Sequence, residues 1–123
     1  MRINALHNCK NPFQGKDKKV LCVCSAGLLR SPTLANVLHK EFGFNTRACG
    51  VHDYALIQFD EVLAEWADEI VVVEEYIANH IPENYDHKVT ILAIPDQYEY
   101  MNPTLQRICL EQYNNLKGNK DAN

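Results

Sequence analysis

Residues 20–32 place a reactive side chain, a short loop and a cation close together in the chain. Cys24 ends an apolar run, a five-residue loop follows, and Arg30 stands just before a predicted helix. A thiolate is the nucleophilic form of cysteine, and a helix N-terminus stabilises it. The planar guanidinium of arginine binds two phosphate oxygens at once, which lysine cannot do. These groups are suited to transferring a phosphoryl group onto sulfur.

The loop between these two side chains has the features of an anion cradle. Its backbone N–H groups can curl around one oxyanion, and Gly27 reaches the unusual φ values that such a curl needs. Ser31 is predicted to be the helix N-cap, with Pro32 at the first helical position. Its hydroxyl is also predicted to donate to the thiolate and lower the pKa of that thiol. The predicted phosphate-binding residues are Ser25, Ala26, Gly27, Leu28, Leu29, Arg30 and Ser31. The alternatives are an inert buried thiol at Cys24 and an ordinary turn glycine.

Displacement of an alkoxide or phenoxide from phosphate needs a proton donor. Asp96 follows the fourth predicted strand, so we expect it to face the same crevice as Cys24 and to act as the general acid. The alternative is an ordinary turn aspartate, and Asp53 is a competing carboxylate on another loop. Tyr54 and Tyr98 are candidates for the walls of a pocket that stacks on a phenyl ring.

Composition narrows the class of protein. The 123 residues fit one domain, and the net charge of −4 without a Lys/Arg block argues against nucleic-acid binding. No apolar run approaches the ~20 residues of a membrane span, and the N-terminus lacks a secretory core. The five cysteines lack CxxC spacing, which indicates reduced thiols. The five histidines form no HxxxH pair, which argues against a metal site. We therefore expect a cytoplasmic protein with no metal site, no cofactor and no membrane partner; oligomeric state is left open.

Apolar patterns and caps predict alternating strands and helices. The strands are predicted at 19–24, 44–49, 69–73 and 87–94, and the helices at 32–43, 59–66, 75–81 and 103–118. This order predicts an α/β fold with a four-stranded parallel sheet flanked by helices on both faces, a Rossmann-like arrangement of three layers. Residues 1–18 are predicted to be an extension, 19–118 the domain and 119–123 a polar tail. In such sheets the ligand crevice lies at the carboxyl ends of the strands.

With these residues in place, the chain resembles the low-molecular-weight protein tyrosine phosphatases. The resemblance is carried by residues 24–32 after a predicted strand, by residues 48–50 and by residues 96–98. The sequence of residues 94–101 is similar to that of a compact bacterial and phage-borne branch of the family. It implies a two-step, metal-free hydrolysis of a phosphotyrosine protein or small aryl phosphate. Cys24 attacks phosphorus to form a phosphocysteine, Arg30 and the loop amides hold the phosphate oxygens, and Asp96 acts as acid and then as base.

The chain departs from the family pattern at three positions. Gly27 stands where asparagine is usual, Leu29 replaces the second cysteine of the loop, and Gln97 follows the aspartate where proline is usual.

Two other functions stay open. A thiol-linked arsenate reductase shares the fold but needs relay cysteines, and none lies between Cys49 and Cys109. The other is a non-catalytic phosphate-binding module of the same fold.

Overall fold

The computed structural model describes residues 15–26 and 29–121. Most of the predicted N-terminal extension and the end of the predicted polar tail lie outside the described residues. So do Gly27 and Leu28 of residues 25–29, which we call the phosphate loop after their predicted role. Within them, no helix is long and apolar enough to cross a membrane.

A four-stranded parallel sheet forms the centre of the fold. Its strands are β1 (Lys19–Cys24), β2 (Asn45–Gly50), β3 (Glu69–Val72) and β4 (Val89–Ile91), in the spatial order β2-β1-β3-β4. The two central strands are buried along nearly their whole length, as expected for a sheet covered on both sides. The predicted four-stranded parallel sheet is confirmed.

Four helices and one 3₁₀ segment connect and cover the strands. They are α1 (Arg30–Phe42), α2 (Glu61–Trp66), α3 (Glu75–Ala78), a 3₁₀ helix (Glu83–Lys88) and α4 (Pro103–Asp121). The chain moves in one direction along the sheet from β1 to β2 and in the other from β2 to β3 and β4. Right-handed crossovers therefore place α1 on one face and α2 and α3 on the other. Helix α4 packs against α1, so helices flank both faces as predicted.

Helix ends follow local chemistry in some places and not in others. Gly43 ends α1 in the left-handed conformation (φ 74°), and the Asn102 side chain accepts the Thr104 N–H at 2.8 Å to cap α4; both were predicted. Gly118 was predicted to end α4, but the helix continues to Asp121. Glycine inside a helix costs only about 1 kcal/mol, and it ends a helix only where the chain turns left-handed.

The predicted third helix, 75–81, is α-helical only over Glu75–Ala78. The next three residues continue as tighter turns, in which the N–H of His80 bonds to the carbonyl of Ile77 at 3.0 Å and that of Ile81 to Ala78 at 3.0 Å. Such short i→i+3 turns are common where a helix ends before a proline.

Strand β4 is much shorter than the predicted 87–94. The chain before it forms the 3₁₀ helix because Tyr85 is buried there, with its hydroxyl donating to Glu65 at 2.8 Å. After it, the N–H groups of Leu92 and Ile94 still bond at 2.9 Å to the carbonyls of Val72 and Val73, but these are successive carbonyls, so the regular ladder stops. Ala93 between them faces the open edge of the sheet, where its N–H and C=O both bond to the Gln112 side chain at 2.7 Å. The α4 amide thus replaces a neighbouring strand as the partner of this backbone.

A buried carboxylate ties the amino-terminal edge of the sheet together. Glu69, the first residue of β3, pairs with Lys18 at 2.8 Å and Lys117 at 2.9 Å, and accepts hydrogen bonds from Thr90 and from Tyr113 at 2.7 Å. Burial by itself would raise the pKa of Glu69, but these hydrogen bonds outweigh it and lower the pKa from 4.5 to about 2. Glu69 therefore links strand β4 and helix α4 to the central sheet as an anion.

We expect Glu69→Gln to lower the free energy of unfolding by about 1–3 kcal/mol at neutral pH, because a charged hydrogen-bond acceptor is lost. The pKa of Glu69 in the folded state lies below its ordinary value, so its stabilisation is complete above about pH 4.5 and declines as the pH falls toward about 2. Urea unfolding across this range should show wild type and variant converging in acid. The exposed Glu111→Gln is the control, and parallel curves for Glu69→Gln and wild type would contradict the prediction.

Candidate active site

The candidate site lies between β1 and β3, at the topological switch point where the strand order of the sheet reverses. Strand β1 is connected outward to β2 on one side, while β3 leads on to β4 on the other. A crevice opens at such a point beyond the carboxyl ends of the strands. Cys24 is the last residue of β1, and Glu74 stands two residues beyond the end of β3.

The Cys24 thiol is buried and lies beside a hydroxyl. Its side chain is 2% exposed, and Sγ is 3.1 Å from Oγ of Ser31. The same Ser31 hydroxyl is 3.2 Å from the carbonyl oxygen of Cys49, to which it can donate. A hydroxyl has one hydrogen and two lone pairs. It can therefore accept from the Cys24 thiol while donating to Cys49, or rotate and donate to a Cys24 thiolate.

The prediction that Ser31 caps α1 is wrong. The helix begins at Arg30, and the N-cap residue is Leu29, whose side chain makes no capping bond. Ser31 is thus inside the first turn, with its hydroxyl turned toward Cys24 and Cys49. Pro32 is therefore the third helical residue and not the first, as was predicted. It is tolerated there because the first turn of a helix has no intrahelical use for a backbone N–H.

The Arg30 guanidinium is buried and held along one edge. Nη1 donates to a Glu74 carboxylate oxygen and to the carbonyl oxygen of Ile94 at 3.0 Å. Nη2 lies 3.6 Å from Oδ2 of Asp96. Since both N–H groups of Nη1 are engaged, the Nε–Nη2 edge is the one suited to binding two phosphate oxygens.

Burial works to lower the pKa of Arg30, but the hydrogen bond that Arg30 donates to Glu74 and the charges of Asp96, Glu74 and Cys24 outweigh it, and the pKa is raised. The guanidinium is therefore a permanent cation at the site.

Of the two carboxylates considered as the general acid, Asp96 lies beside the Arg30 guanidinium and Asp53 lies on a different loop. Asp96 stands in residues 95–101, which we call the acid segment, and its side chain is 58% exposed, open to an incoming substrate. Asp53 is exposed on the loop after β2, where its backbone carbonyl accepts a hydrogen bond from Gln58. Of the two predicted carboxylates, Asp96 is the one near Arg30.

The two predicted pocket tyrosines differ in their surroundings. Tyr54 is 69% exposed, and its ring stacks on His52 with centroids 5.0 Å apart. That loop is joined to the phosphate loop, because the His52 N–H bonds to the Ser25 carbonyl at 3.0 Å. Tyr98 is half-buried and packs against the hydrophobic core. An aromatic surface therefore begins beside the phosphate loop at Tyr54, and Tyr98 presents less of its ring.

The remaining predicted phosphate-binding residues are partly described. Ser25 and Ala26 are half-buried directly after β1, and Leu29 is exposed where the loop meets α1. With Gly27 and Leu28 outside the described residues, the path of the backbone between these points stays a prediction.

Glu74 is the residue that the sequence analysis missed. It falls between the predicted third strand and third helix, at the same sheet edge as Cys24. Asp96 was predicted because residues that follow the carboxyl ends of parallel strands line the ligand crevice. Glu74 follows the end of β3, so the same rule could have predicted it. What the sequence lacked was any sign that its partner is Arg30.

Three further cysteines, Cys22, Cys49 and Cys109, are buried free thiols. Burial raises the pKa of Cys22 and, to about 12, that of Cys109, so both are protonated near neutral pH. Among residues 15–26 and 29–121, no group of three histidine, cysteine or acidic side chains is placed to hold a metal ion.

Solved structures of several small phosphatases are similar to the chain in fold. Wzb of Vibrio vulnificus, in complex with benzylphosphonate, superposes with a TM-score of 0.66 at 18% identity, over 80% of this chain and 96% of that one. The tyrosine phosphatase Wzb of Escherichia coli, in complex with phosphate, gives 0.65 at 16% identity, over 80% and 95%.

The YwlE arginine phosphatase of Geobacillus stearothermophilus is also similar, with a TM-score of 0.60 at 15% identity over 85% of this chain and 96% of that one. No protein-family model and no curated protein matches the chain by sequence. The chain therefore has the fold of the low-molecular-weight phosphatases, as its residues predicted, and the likeness is structural.

Proposed function

We propose that this protein is a cysteine-dependent phosphomonoester hydrolase that acts on phosphotyrosine through a phosphocysteine intermediate. The observation that carries the proposal is the convergence of three groups at one sheet edge. The Cys24 thiol lies 3.1 Å from a hydroxyl, and Asp96 lies 3.6 Å from the buried Arg30 guanidinium. Nucleophile, anion holder and proton donor are what phosphoryl transfer to sulfur requires.

In the first step the Cys24 thiolate attacks phosphorus. The sulfur–phosphorus bond forms as the phosphorus–oxygen ester bond breaks, and Asp96 gives its proton to the departing phenolic oxygen. The Nε–Nη2 edge of Arg30 and the loop N–H groups bind the equatorial oxygens, where negative charge is concentrated.

In the second step water attacks the phosphocysteine. Asp96, now a carboxylate, takes a proton from the water as the new phosphorus–oxygen bond forms and the sulfur–phosphorus bond breaks. Cys24 leaves as a thiolate, and the Ser31 hydroxyl rotates from the Cys49 carbonyl to donate to it. This donation lowers the basicity of the leaving sulfur.

Glu74 gives Arg30 a fixed orientation in this scheme. The Glu74 carboxylate and the Ile94 carbonyl hold Nη1 by hydrogen bonds. The opposite edge of the guanidinium is therefore already oriented when phosphate binds, and the side chain does not have to change its rotamer. Such preorganisation lowers the entropic cost of binding the transition state.

An aryl leaving group is favoured by the Tyr54–His52 stack next to the phosphate loop, since aromatic rings offer a face on which a phenyl group can stack. Arsenate reduction is disfavoured because a relay thiol must be accessible and readily ionised. Cys22 and Cys109 are buried, with raised pKa values.

The function is tested with a panel of substrates given to the purified protein: a phosphotyrosine peptide, phosphoarginine, and arsenate with thioredoxin. We expect vanadate-sensitive release of phosphate from the peptide. Turnover of arsenate alone would identify a reductase, and faster turnover of phosphoarginine would move the substrate class from tyrosine to arginine. Binding of the peptide without a burst of dephosphorylated peptide would identify a non-catalytic module.

Asp96→Asn is expected to lower kcat/KM for phenyl phosphate by about 10²–10⁴, because the phenoxide must then leave without its proton. The loss should be far smaller for 2,4-dinitrophenyl phosphate, whose leaving group is stable as an anion. Asp53→Asn, the same change at the competing carboxylate, should leave both rates close to wild type. An equal loss on both substrates for Asp96→Asn, or a selective loss for Asp53→Asn, would contradict the assignment.

A further inference from the structure

The acid segment is held at both of its ends by the first turn of α1. Before it, the Ile94 carbonyl accepts a hydrogen bond from Arg30 at 3.0 Å. At its end, the Met101 N–H donates to Oγ1 of Thr33 at 2.9 Å. Arg30 and Thr33 are three residues apart, so they lie on the same face of the helix.

The Thr33 hydroxyl joins two functional segments. It is fully buried, and it donates its hydrogen to the carbonyl oxygen of Leu29 at 2.7 Å while accepting from Met101. Leu29 is the last residue of the phosphate loop. One hydroxyl therefore connects the end of the loop that binds phosphate to the end of the segment that carries the acid.

Met101 is held in an unusual conformation at this junction. Its φ of 61° is the only positive value at a non-glycine among the described residues. Such a conformation costs about 1–2 kcal/mol and persists only where surrounding bonds enforce it. Besides the bond to Thr33, its carbonyl accepts from Gln106 at 2.7 Å and its sulfur from Asn36 at 3.4 Å.

From this geometry we propose that Thr33 is a positioning residue for proton transfer, which holds the acid segment in register with the phosphate loop through Met101. The inference rests on the proposed role of Asp96 as general acid. Thr33 is fully buried, and its hydroxyl is engaged by Leu29 and Met101. Its loss should therefore impair protonation of the leaving group and spare phosphate binding.

The test is a comparison of Thr33→Val, which keeps the shape of the side chain and removes the hydroxyl, with Thr33→Ser, which keeps the hydroxyl. We expect Thr33→Val to lower kcat/KM for phenyl phosphate by about 10- to 100-fold, part of what general acid catalysis supplies. For 2,4-dinitrophenyl phosphate the change should stay within about twofold. Competitive inhibition by inorganic phosphate should be unchanged, and Thr33→Ser should recover most of the loss.

Thr46→Val is a matched control. Thr46 is also fully buried, and its hydroxyl donates to a carbonyl of α1, that of Ala35, at 2.9 Å. It makes no described contact with the acid segment, so its loss should lower stability without changing the dependence of rate on the leaving group. If Thr33→Val does not fold, Gln106→Met removes another bond to Met101 from the half-buried face of α4 and should give the same selective loss at a smaller size.

The outcomes separate this inference from the function on which it rests. In the Asp96→Asn background, Thr33→Val should have no further effect on phenyl phosphate, since coupled residues are not additive. If Asp96→Asn shows its selective loss while Thr33→Val and Gln106→Met behave like Thr46→Val, the positioning role is overturned and the proposed function stands. Equal loss on both substrates for Thr33→Val also overturns it, and an inactive wild-type protein overturns both.

Discussion

Replacing Cys24 with serine is expected to abolish hydrolysis of phosphotyrosine, with a loss of at least about 10⁴-fold in kcat, and to leave phosphate binding intact. A serine hydroxyl is far less acidic than a thiol, and the neighbouring Ser31 can donate a hydrogen bond but cannot remove its proton. Arg30 keeps its partners in this variant, so the anion site persists.

Two measurements check this result together: release of phosphate from a phosphotyrosine peptide, and the Kd of inorganic phosphate by calorimetry. Cys109→Ser is the control, because Cys109 is a buried thiol in α4, a helix that carries none of the candidate site residues. It should lower stability and keep kcat close to wild type. Residual activity of Cys24→Ser within about tenfold of wild type would mean that sulfur is not the nucleophile, since loss of a true nucleophile costs orders of magnitude more.

Replacing Arg30 with alanine is expected to remove both functions, raising the Kd of phosphate and lowering kcat/KM by about 10³–10⁵, the range seen for arginines that stabilise phosphoryl transfer. The loss has two sources. The guanidinium fork disappears, and the Glu74 carboxylate is left beside the incoming phosphate without its cation. Repulsion between these two anions adds to the lost attraction.

Two further variants separate these sources. Arg30→Lys restores a positive charge without the fork, so it should recover phosphate binding more than turnover. Glu74→Gln added to Arg30→Ala removes the unpaired carboxylate and should bind phosphate more tightly than Arg30→Ala alone. Wild-type turnover in Arg30→Lys would contradict a bidentate role for Arg30, and an unchanged Kd in the double variant would contradict repulsion by Glu74.

The elements that the sequence predicted well are those whose cause is local or uniform. Strand β1 was predicted at its observed bounds because its residues are apolar on both faces, and Gly43 and Asn102 act through their own backbone and side chain. The elements predicted wrongly depend on partners far away in the chain. Beyond β4, the backbone of Ala93 bonds to Gln112 of α4 and that of Ile94 to Val73, and no local pattern records these partners.

The same distinction applies to the candidate site. Cys24 and Arg30 are placed by a strand, a loop and a helix that follow one another, so their proximity is implied by sequence spacing. Ser31 was correctly associated with the thiol, but its role as helix cap was wrong, because its hydroxyl meets Cys24 and the β2 carbonyl of Cys49. A side chain with one hydroxyl cannot serve the cap and the site equally, and only the packing of α1 on the sheet selects between them.

The sequence by itself therefore determined the residue types behind the proposed chemistry and their spacing: a thiol, a predicted phosphate loop and a guanidinium, which follow one another between a strand and a helix. Tertiary structure decided which residues from distant parts of the chain contact these groups. It brought Glu74 from the end of β3 to one edge of Arg30, Asp96 to the other, and Met101 onto Thr33. The reason is physical: local residue patterns specify elements, whereas contacts across a sheet edge depend on strand order and crossover direction, which appear only when the whole core has packed.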